Sequence, residues 1–214
     1  MAGIRTRISV IVDVLNSRTE GVGLNAVCRI FNVAKNTVLD WEKRMSPIKQ
    51  VLLLYALLHQ FFQVIIEGDE LYTKVGKNTP PDKSLGWTVV LIDRASRFLW
   101  EIQCGKNSNL FRKAIRTMGQ LIDRTKDISL IARANHYEAF NSSLRRCNAA
   151  YRWKSNTYAK NEESLQRTPE VYWAVHNFIR FYFTTKKVPA VAMGIISEKL
   201  SWEQLFMIQV AAAV

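Results

Sequence analysis

The sequence is poor in the residues that stabilise small secreted domains and zinc-bound modules. Only three cysteines occur among its 214 residues, Cys28, Cys104 and Cys147, and no two of them form a CxxC pair. This spacing excludes a zinc ribbon and gives no support for a disulfide framework. Widely separated cysteines in odd number instead suit the reducing environment of the cytoplasm.

Long apolar segments are lacking as well. The most apolar run, residues 51–66, contains His59, Gln60 and Gln63 and is too short to span a bilayer. We therefore interpret it as a buried helix that passes into a strand. The first residues of the chain lack the apolar core of a signal peptide. These absences predict a cytoplasmic protein that does not associate with a membrane.

Acidic residues are scarce relative to basic ones. The chain has 18 Asp and Glu against 30 Lys and Arg, which gives a formal net charge of +12. An excess of this size favours a polyanionic partner, with nucleic acid first and an anionic membrane surface second.

The early part of the chain predicts two helices joined by a tight turn. Apolar residues recur at helical spacing from Leu24 to Phe31, and Asn32 follows, where a left-handed residue would turn the chain. Ala34 stands where Ser or Thr would cap the second helix. This is the pattern of a helix-turn-helix, whose second helix contacts bases and phosphates. The alternative is a small helical bundle with a solvated polar face. The predicted DNA-contacting residues are Lys35, Asn36, Thr37, Lys43 and Arg44.

Residues 63–75 predict a strand with three carboxylates near its middle, Glu67, Asp69 and Glu70. Alternation places Glu67 and Asp69 on the same face. Carboxylates inside a strand are costly unless they bind something, usually a metal ion. The alternative is a strand that runs out into an exposed acidic turn.

The segments that follow predict an ordered series of elements. Residues 86–92 and 97–103 predict strands, residues 110–122 an amphipathic helix, and residues 128–132 a short apolar strand. A helical crossover makes the last strand parallel to a neighbour in the same sheet. A three-stranded meander, a helix and a parallel strand are how a ribonuclease-H-like core begins, so we predict an α/β (α+β) fold of this kind. In that fold, clustered carboxylates hold two Mg²⁺ ions for phosphoryl transfer.

Four runs of residues allow a comparison with a known family. They resemble bacterial insertion-sequence transposases of the DDE type, in the insertion-sequence-one group, and they keep their order along the chain. The resemblance implies a ribonuclease-H-like catalytic core behind a helix-turn-helix, acting on the DNA ends of its own element. The runs are residues 67–75 (Glu-Gly-Asp-Glu-Leu-Tyr-Thr-Lys-Val), 135–146, 156–160 and 175–180.

The resemblance also implies the site residues. Asp69 matches the first catalytic Asp and Glu138 the catalytic Glu, and both would be Mg²⁺ ligands. The second catalytic Asp would follow the strand at residues 128–132, but Arg133 and Ala134 stand there instead. A segment near 132–134 is therefore interpreted as deleted. Because Mg²⁺ needs near-octahedral oxygen ligation, we expect this copy to bind the metal poorly and to lack strand-transfer activity.

The C-terminal third contributes a basic and aromatic segment and two helix signals. Thr168, Pro169 and Glu170 predict the start of a helix, and Ser201 with Gln204 predicts a capping box. For His176, we favour a packed, hydrogen-bonded role over a contact with DNA or metal. Basic residues interleaved with aromatic ones suit a DNA backbone with a distorted end, and they are Arg145, Arg146, Arg152, Lys154 and Lys160.

The resulting hypothesis divides the chain into a helix-turn-helix domain, residues 1–47, and a ribonuclease-H-like core with a helical C-terminal part, residues 48–214. The protein would be nucleoid-associated and would bind the ends of an insertion element. It would form homo-oligomers or associate with an intact transposase. The first alternative is a non-enzymatic helix-turn-helix DNA-binding protein or inhibitor of intact transposase. The second is a deleted product that does not fold.

Overall fold

The computed structural model describes residues 5–59, 64–76, 80–106, 110, 113, 114, 116, 128–132, 135–152 and 159–212. Short 3-10 turns occur at Pro81–Lys83 and Ala149–Tyr151. The helices and strands are α1 (Ile8–Thr19), α2 (Leu24–Phe31), α3 (Lys35–Met45), α4 (Ile48–His59), β1 (Val64–Tyr72), β2 (Trp87–Asp93), β3 (Leu99–Gly105), β4 (Ile128–Ala132), α5 (Asn135–Cys147), α6 (Glu162–Phe178), α7 (Pro189–Ala192) and α8 (Trp202–Ala212).

Helices α2 and α3 are joined by a short turn through Asn32. This residue has φ 50° and ψ 47°, the left-handed conformation expected from the sequence. Asn tolerates this conformation better than most residues because its short polar side chain bonds locally. Ala34 precedes α3 in an extended conformation and provides no side-chain cap. The apolar faces of α1, α2 and α3 bury Ile11, Val14, Leu15, Val27, Val38 and Trp41.

The sheet has four strands in the order β3-β2-β1-β4. Strands β1, β2 and β3 form an antiparallel meander, and β4 pairs with β1 in parallel, as predicted. Strands β2 and β3 begin one and two residues later than expected. The register places Gly68 between Leu91 of β2 and Ala132 of β4. The fold is therefore a mixed α+β arrangement with a small sheet.

Helix α6 covers the outer edge of the sheet. Asn177 accepts from the backbone N–H of Leu99 at 2.8 Å and donates to its carbonyl at 2.9 Å. Gln166 accepts from the N–H of Cys104 at 2.6 Å. These side chains bond backbone groups of edge strand β3, which limits pairing with another chain.

The predicted start of α6 is wrong. The helix begins at Glu162, and its cap is Asn161, whose side chain accepts from the N–H of Ser164 at 2.8 Å. Pro169 lies inside the helix and not at its first position. Because Pro169 has no N–H, one bond of the helical ladder is missing there. Helix α5 begins at Asn135, three residues before Glu138.

Helix α4 is less buried than its sequence suggested. Ile48, Leu52 and Ala56 face the core, but a second apolar face is exposed. Its side chains are 40 to 57% exposed and recur at i, i+3, i+4 and i+7. The interpretation of residues 51–66 as a buried helix is therefore wrong for half of this helix. The exposed residues are Val51, Leu54, Tyr55 and Leu58.

Contacts between residues far apart in sequence hold α1–α3 against the C-terminal helices. The indole N–H of Trp202 donates to the side-chain oxygen of Asn16 at 3.1 Å. Arg180 donates to the backbone carbonyl of Thr19 at 3.2 Å and forms an ion pair with Glu20. The division into two domains at residue 47 stays a prediction.

Helix α8 begins as the sequence predicted. The N–H of Ser201 donates to the side chain of Gln204 at 2.7 Å, and the N–H of Gln204 donates to the Ser201 hydroxyl at 3.2 Å. These reciprocal bonds form the predicted capping box.

Two predicted features fall largely beyond the described ranges. Of the predicted helix at 110–122, only residues 110, 113, 114 and 116 are described, and the junction at 133–134 is outside them. Within the described ranges, no helix combines the length and apolar character that crossing a bilayer requires.

Candidate functional site

Asp69 lies on β1 beside the C-terminal end of β4. Its neighbour Gly68 pairs with Ala132, the last residue of that strand. Helix α5 packs against β1, and the side-chain amide of Asn141 donates to Asp69 Oδ2 at 3.0 Å. Asn141 is only 5% exposed. We call Asp69, Asn141 and the end of β4 the carboxylate edge.

Glu138 belongs to the same helix as Asn141, one turn nearer the N-terminus. The helix therefore brings the backbone of Glu138 to the side of the sheet that carries Asp69. The Glu138 side chain is outside the described residues, so its predicted role as Asp69's partner stays a prediction. In the described parts of the chain, no three His, Cys, Asp or Glu side chains form a group suited to a metal ion.

The other two carboxylates of β1 have distinct environments. Glu67 is completely buried and accepts from Nε of Arg94 at 2.7 Å. Burial raises the pKa of Glu70, and the nearby negative charge of Asp69 raises it further. An ion pair with Arg94 thus compensates for the burial of Glu67. The sequence pattern had instead predicted either a bound metal ion or an exposed acidic turn at this position.

A second site lies between the α2–α3 pair and the start of α6. It is a cleft of about 920 Å³. The lining includes the first turns of α2 and α3, the chain around Ala150 and Lys160, and the first two turns of α6. We call it the basic cleft, and its charged lining residues in the described ranges are Arg18, Arg29, Lys35, Glu42, Lys160 and Arg167.

A buried group of three charged side chains supports the floor of the basic cleft. Arg18 donates from Nε to Glu42 Oε1 at 2.7 Å, and Arg167 Nε lies 3.8 Å from Glu42 Oε2. These side chains are 10, 2 and 12% exposed for Arg18, Glu42 and Arg167 respectively. Two guanidinium groups share one carboxylate, so the group carries excess positive charge in a region screened poorly by water.

Two helices begin at the basic cleft without side-chain caps. Gly23 precedes α2 and Ala34 precedes α3, and neither makes a side-chain cap bond. Residues of both first turns, including Asn25 and Asn36, line the cleft. The first backbone N–H groups of a helix have no partners within it, and the helix dipole is positive there.

The predicted DNA-binding residues fall in different places. Lys35, Asn36 and Lys160 line the basic cleft, and Thr37 is half-buried beside them in sequence. Lys154 lies outside the described residues. The remaining predicted residues are exposed and do not line the described cleft, and they are Lys43, Arg44, Arg145, Arg146 and Arg152.

Sequence reasoning missed several residues of both sites. Arg18 and Arg167 are 149 positions apart, and no local pattern connects them. Glu42 sits among basic residues of α3 and was assigned no role. The predicted partner of Asp69 was Glu138, and the bond that Asn141 makes to Asp69 was not foreseen. Only the absent caps at Gly23 and Ala34 were a signal in the sequence, since an uncapped helix start is suited to an anion.

His176 is a structural residue, as predicted. Its ring is buried, packs edge-on against Phe140, and its Nε2–H donates to the carbonyl of Arg97 at 3.0 Å. Burial lowers the pKa of His176 to about 4, with a smaller contribution from the Arg180 charge, although the bond to Arg97 acts in the opposite direction. The ring is therefore neutral at physiological pH.

Comparisons with known proteins give little that identifies the chain. No family model matches it, and no curated protein sequence matches it significantly. Among solved structures, it has weak similarity to one described as a pre-cleavage Mos1 transpososome, with 12% sequence identity and a TM-score of 0.24. That match covers 98% of this chain and 80% of the other. At this TM-score the likeness carries no argument about the site.

Proposed function

We propose that this chain is a DNA-binding protein of the DDE transposase type that binds element ends without cutting them. The observation that carries the DNA-binding part of this proposal is the cationic surface formed by the basic cleft and by the exposed Lys43 and Arg44 of α3 beside it. The described lining of the cleft combines five cationic side chains with one carboxylate. The net charge of the chain, +12, has the same sign and favours a polyanion.

The relation to DDE transposases is supported by sequence runs and strand order together. The runs at 67–75 and 135–146 contain β1's Asp69 and most of α5. Strand order β3-β2-β1-β4, with β4 parallel to β1, agrees with the start of a ribonuclease-H-like core. In such a core, the carboxylates come from the first strand, from the end of the strand after the helix, and from a later helix.

The donor set at the carboxylate edge does not fit two Mg²⁺ ions. Asn141 directs an amide N–H at Asp69 Oδ2, the kind of oxygen that a metal would need. Beside Asp69, β4 ends at Ala132, and Arg133 follows where a carboxylate would belong. Mg²⁺ prefers several oxygen ligands and gives up its water reluctantly. The proposed protein therefore binds DNA ends and does not catalyse strand transfer.

Binding and cleavage measured on the same DNA test this proposal. Short duplexes with a randomised centre would be selected for binding to the full chain and then incubated with it in Mg²⁺ or Mn²⁺. We expect retained duplexes and no metal-dependent nicks, with Asp69→Asn giving the same result as the wild type. Metal-dependent nicking that disappears in Asp69→Asn would overturn the inactive assignment. Absence of any duplex binding would overturn the proposal as a whole.

A second candidate is an inhibitor that combines with intact transposase. The exposed apolar face of α4, with Leu54 57% exposed, favours a protein partner over water at that surface. Leu54→Lys is expected to abolish any concentration-dependent self-association seen by sedimentation. A strictly monomeric wild-type protein at all concentrations would argue against this candidate.

A further inference from the structure

The basic cleft has a shape and chemistry that binding to a DNA duplex does not explain. We infer that it binds the phosphodiester backbone of a short single-stranded stretch of DNA. The inference rests on the proposed DNA-binding function and specifies the substrate form taken by this site. It also separates the cleft residues from the exposed cations of α3.

Three cations of the cleft are available to a ligand. Arg29, Lys35 and Lys160 are exposed, and no acidic side chain in the described part of the chain forms an ion pair with them. Solvated cations that converge on one concave surface attract an anion with more than one charge. Successive phosphates of a nucleic-acid strand are such an anion.

The cleft also offers backbone donors. The first turns of α2 and α3 open on it, and Gly23 and Ala34 leave their N–H groups without side-chain partners. Helix starts of this kind bind phosphate oxygens, because the N–H groups point outward and the dipole favours negative charge. The absent cap at Ala34 thus leaves backbone donors of α3 for a ligand.

The buried charges behind the cleft reinforce this preference. Arg18 and Arg167 share the single carboxylate of Glu42, and the Arg167 Nε is buried without a hydrogen bond in the described structure. The excess positive charge is held close to the lining where salt screens it weakly. It favours an anion in the cleft without having to contact it.

The size of the cleft separates a single strand from a duplex. A volume of about 920 Å³ lies at the upper end of pockets for small molecules. The first turn of α3, with Lys35 and Asn36, shares this lining with Lys160 and Ser164. A helix that reads a major groove must instead be surrounded by a groove about 12 Å wide. The cleft therefore accommodates a few linked nucleotides and leaves no room for a duplex around the first turn of α3.

Charge-reversal variants with a matched control test the inference. Fluorescence anisotropy with fluorescein-labelled oligothymidine would compare wild type, Lys35→Glu, Lys160→Glu, the double variant and Lys199→Glu. Lys199 is an exposed lysine that lies outside the described cleft lining and is not among the predicted DNA-contacting residues. We expect each cleft variant to weaken binding about fivefold and the double variant about 25-fold, with Lys199→Glu near wild type.

The salt dependence gives an independent reading. For a single strand, the slope of log K against log salt is about −0.7 for each phosphate contact. Loss of one cleft contact is expected to reduce the magnitude of the slope by about 0.7, and Lys199→Glu to leave it unchanged. All five proteins are expected to unfold cooperatively at similar temperatures, since the substituted side chains are exposed. Arg29→Glu replaces either cleft variant that does not fold.

The outcomes distinguish the inference from the proposed function. Equal oligothymidine binding by wild type and the double variant, with duplex binding intact, would overturn the inference alone. If the wild-type protein binds neither oligothymidine nor duplex DNA, both the inference and the proposed function are overturned. Competition with pyrophosphate separates the two sources of phosphate. Binding of pyrophosphate without oligothymidine would overturn the assignment to a nucleic-acid strand.

Discussion

The basic cleft and the carboxylate edge differ in how their charges are balanced. In the cleft, Arg29, Lys35 and Lys160 face solvent, and the only carboxylate of its described lining, Glu42, is already shared by two arginines. At the carboxylate edge, Asp69 is met by the neutral amide of Asn141. The cleft is therefore left with charge that attracts a ligand, whereas the edge has one carboxylate already engaged by a donor.

This difference shows that catalysis by bound metal ions depends on individual residues more strictly than electrostatic binding does. An electrostatic surface tolerates changes in individual residues, because several cations contribute to the same potential. A metal site depends on ligand number and geometry, so one lost carboxylate changes its chemistry. The two regions can be tested separately, since the cleft is lined by residues of α2, α3 and α6, whereas the carboxylate edge is formed by β1, β4 and α5.

The largest expected effect comes from Glu42→Gln. This change leaves Arg18 and Arg167 buried with no negative partner between them, so we expect a loss of about 3 to 5 kcal/mol in the free energy of unfolding. Urea denaturation would measure it. The matched control is Asp40→Asn on the same helix, whose ion pair with Arg44 is exposed and contributes less than about 1 kcal/mol. Equal losses in the two variants would show that the buried group does not stabilise the cleft.

Helix α6 lines the cleft with Arg167, and its His176 packs against Phe140 of α5, the helix that carries Asn141, so His176 reports on the packing between the two regions. Its pKa is lowered to about 4 in the folded protein, while the unfolded chain takes up the proton near 6.5. Stability therefore falls as pH drops from about 6.5 to about 4, by about 3 kcal/mol in total. The free energy of unfolding, measured across this pH range, should no longer show this decrease in His176→Gln and should still show it in His59→Gln. An unchanged pH profile in His176→Gln would contradict the assignment.

A smaller effect is expected from Asn141→Asp at the carboxylate edge. It places a second carboxylate beside Asp69 and removes the amide donor. At pH 7 we expect a loss of about 1 to 3 kcal/mol in the free energy of unfolding, because like charges repel and Asp69 loses its bond. Ser142→Asp makes the same charge change at the exposed next position and should stay within about 0.5 kcal/mol of wild type.

The smallest stability change is expected from Ala34→Ser, and it sharpens the comparison most directly. A serine hydroxyl would cap α3 and raise stability by about 0.5 to 1 kcal/mol. It would also engage an N–H that the proposed phosphate uses, so oligothymidine binding should weaken. Ser201→Ala is the reverse change on α8, where the cap is already made. It should lower stability by about 1 kcal/mol without affecting oligothymidine binding. Stabilisation by Ala34→Ser with unchanged binding would exclude the α3 N-terminus from the site.

Features with local causes were predictable from the sequence. The turn at Asn32, the missing cap at Ala34 and the capping box at Ser201 depend on neighbouring residues. The parallel pairing of β4 followed from the rule that two strands joined by a helical crossover are parallel. The start of α6 shows where local reasoning fails, because Asn161 and the Thr168-Pro169 pair both signal a helix start. Only packing decides between them, and it favours a longer helix that tolerates Pro169.

Features that depend on distant residues were not predictable. Periodicity showed that α4 is apolar but not that its second face, with Leu54, would remain exposed. Alternation marked Glu67 as costly, yet its partner Arg94 lies in a turn 27 positions later. The cleft requires Arg18 and Arg167 to meet at Glu42. Such contacts arise from tertiary packing and have no short-range signature.

The hydrogen bond between Asn16 and Trp202 has a consequence for how the protein forms during synthesis. Helices α1, α2 and α3 leave the ribosome before α6 and α8, and the contacts among these three helices are close in sequence and form quickly. Their docking must wait for Arg167, Arg180 and Trp202, which are translated much later. Until then the surfaces that α6 and α8 will cover stay exposed to other chains. The basic cleft, which needs residues of α2, α3 and α6, therefore forms only after α6 has been made.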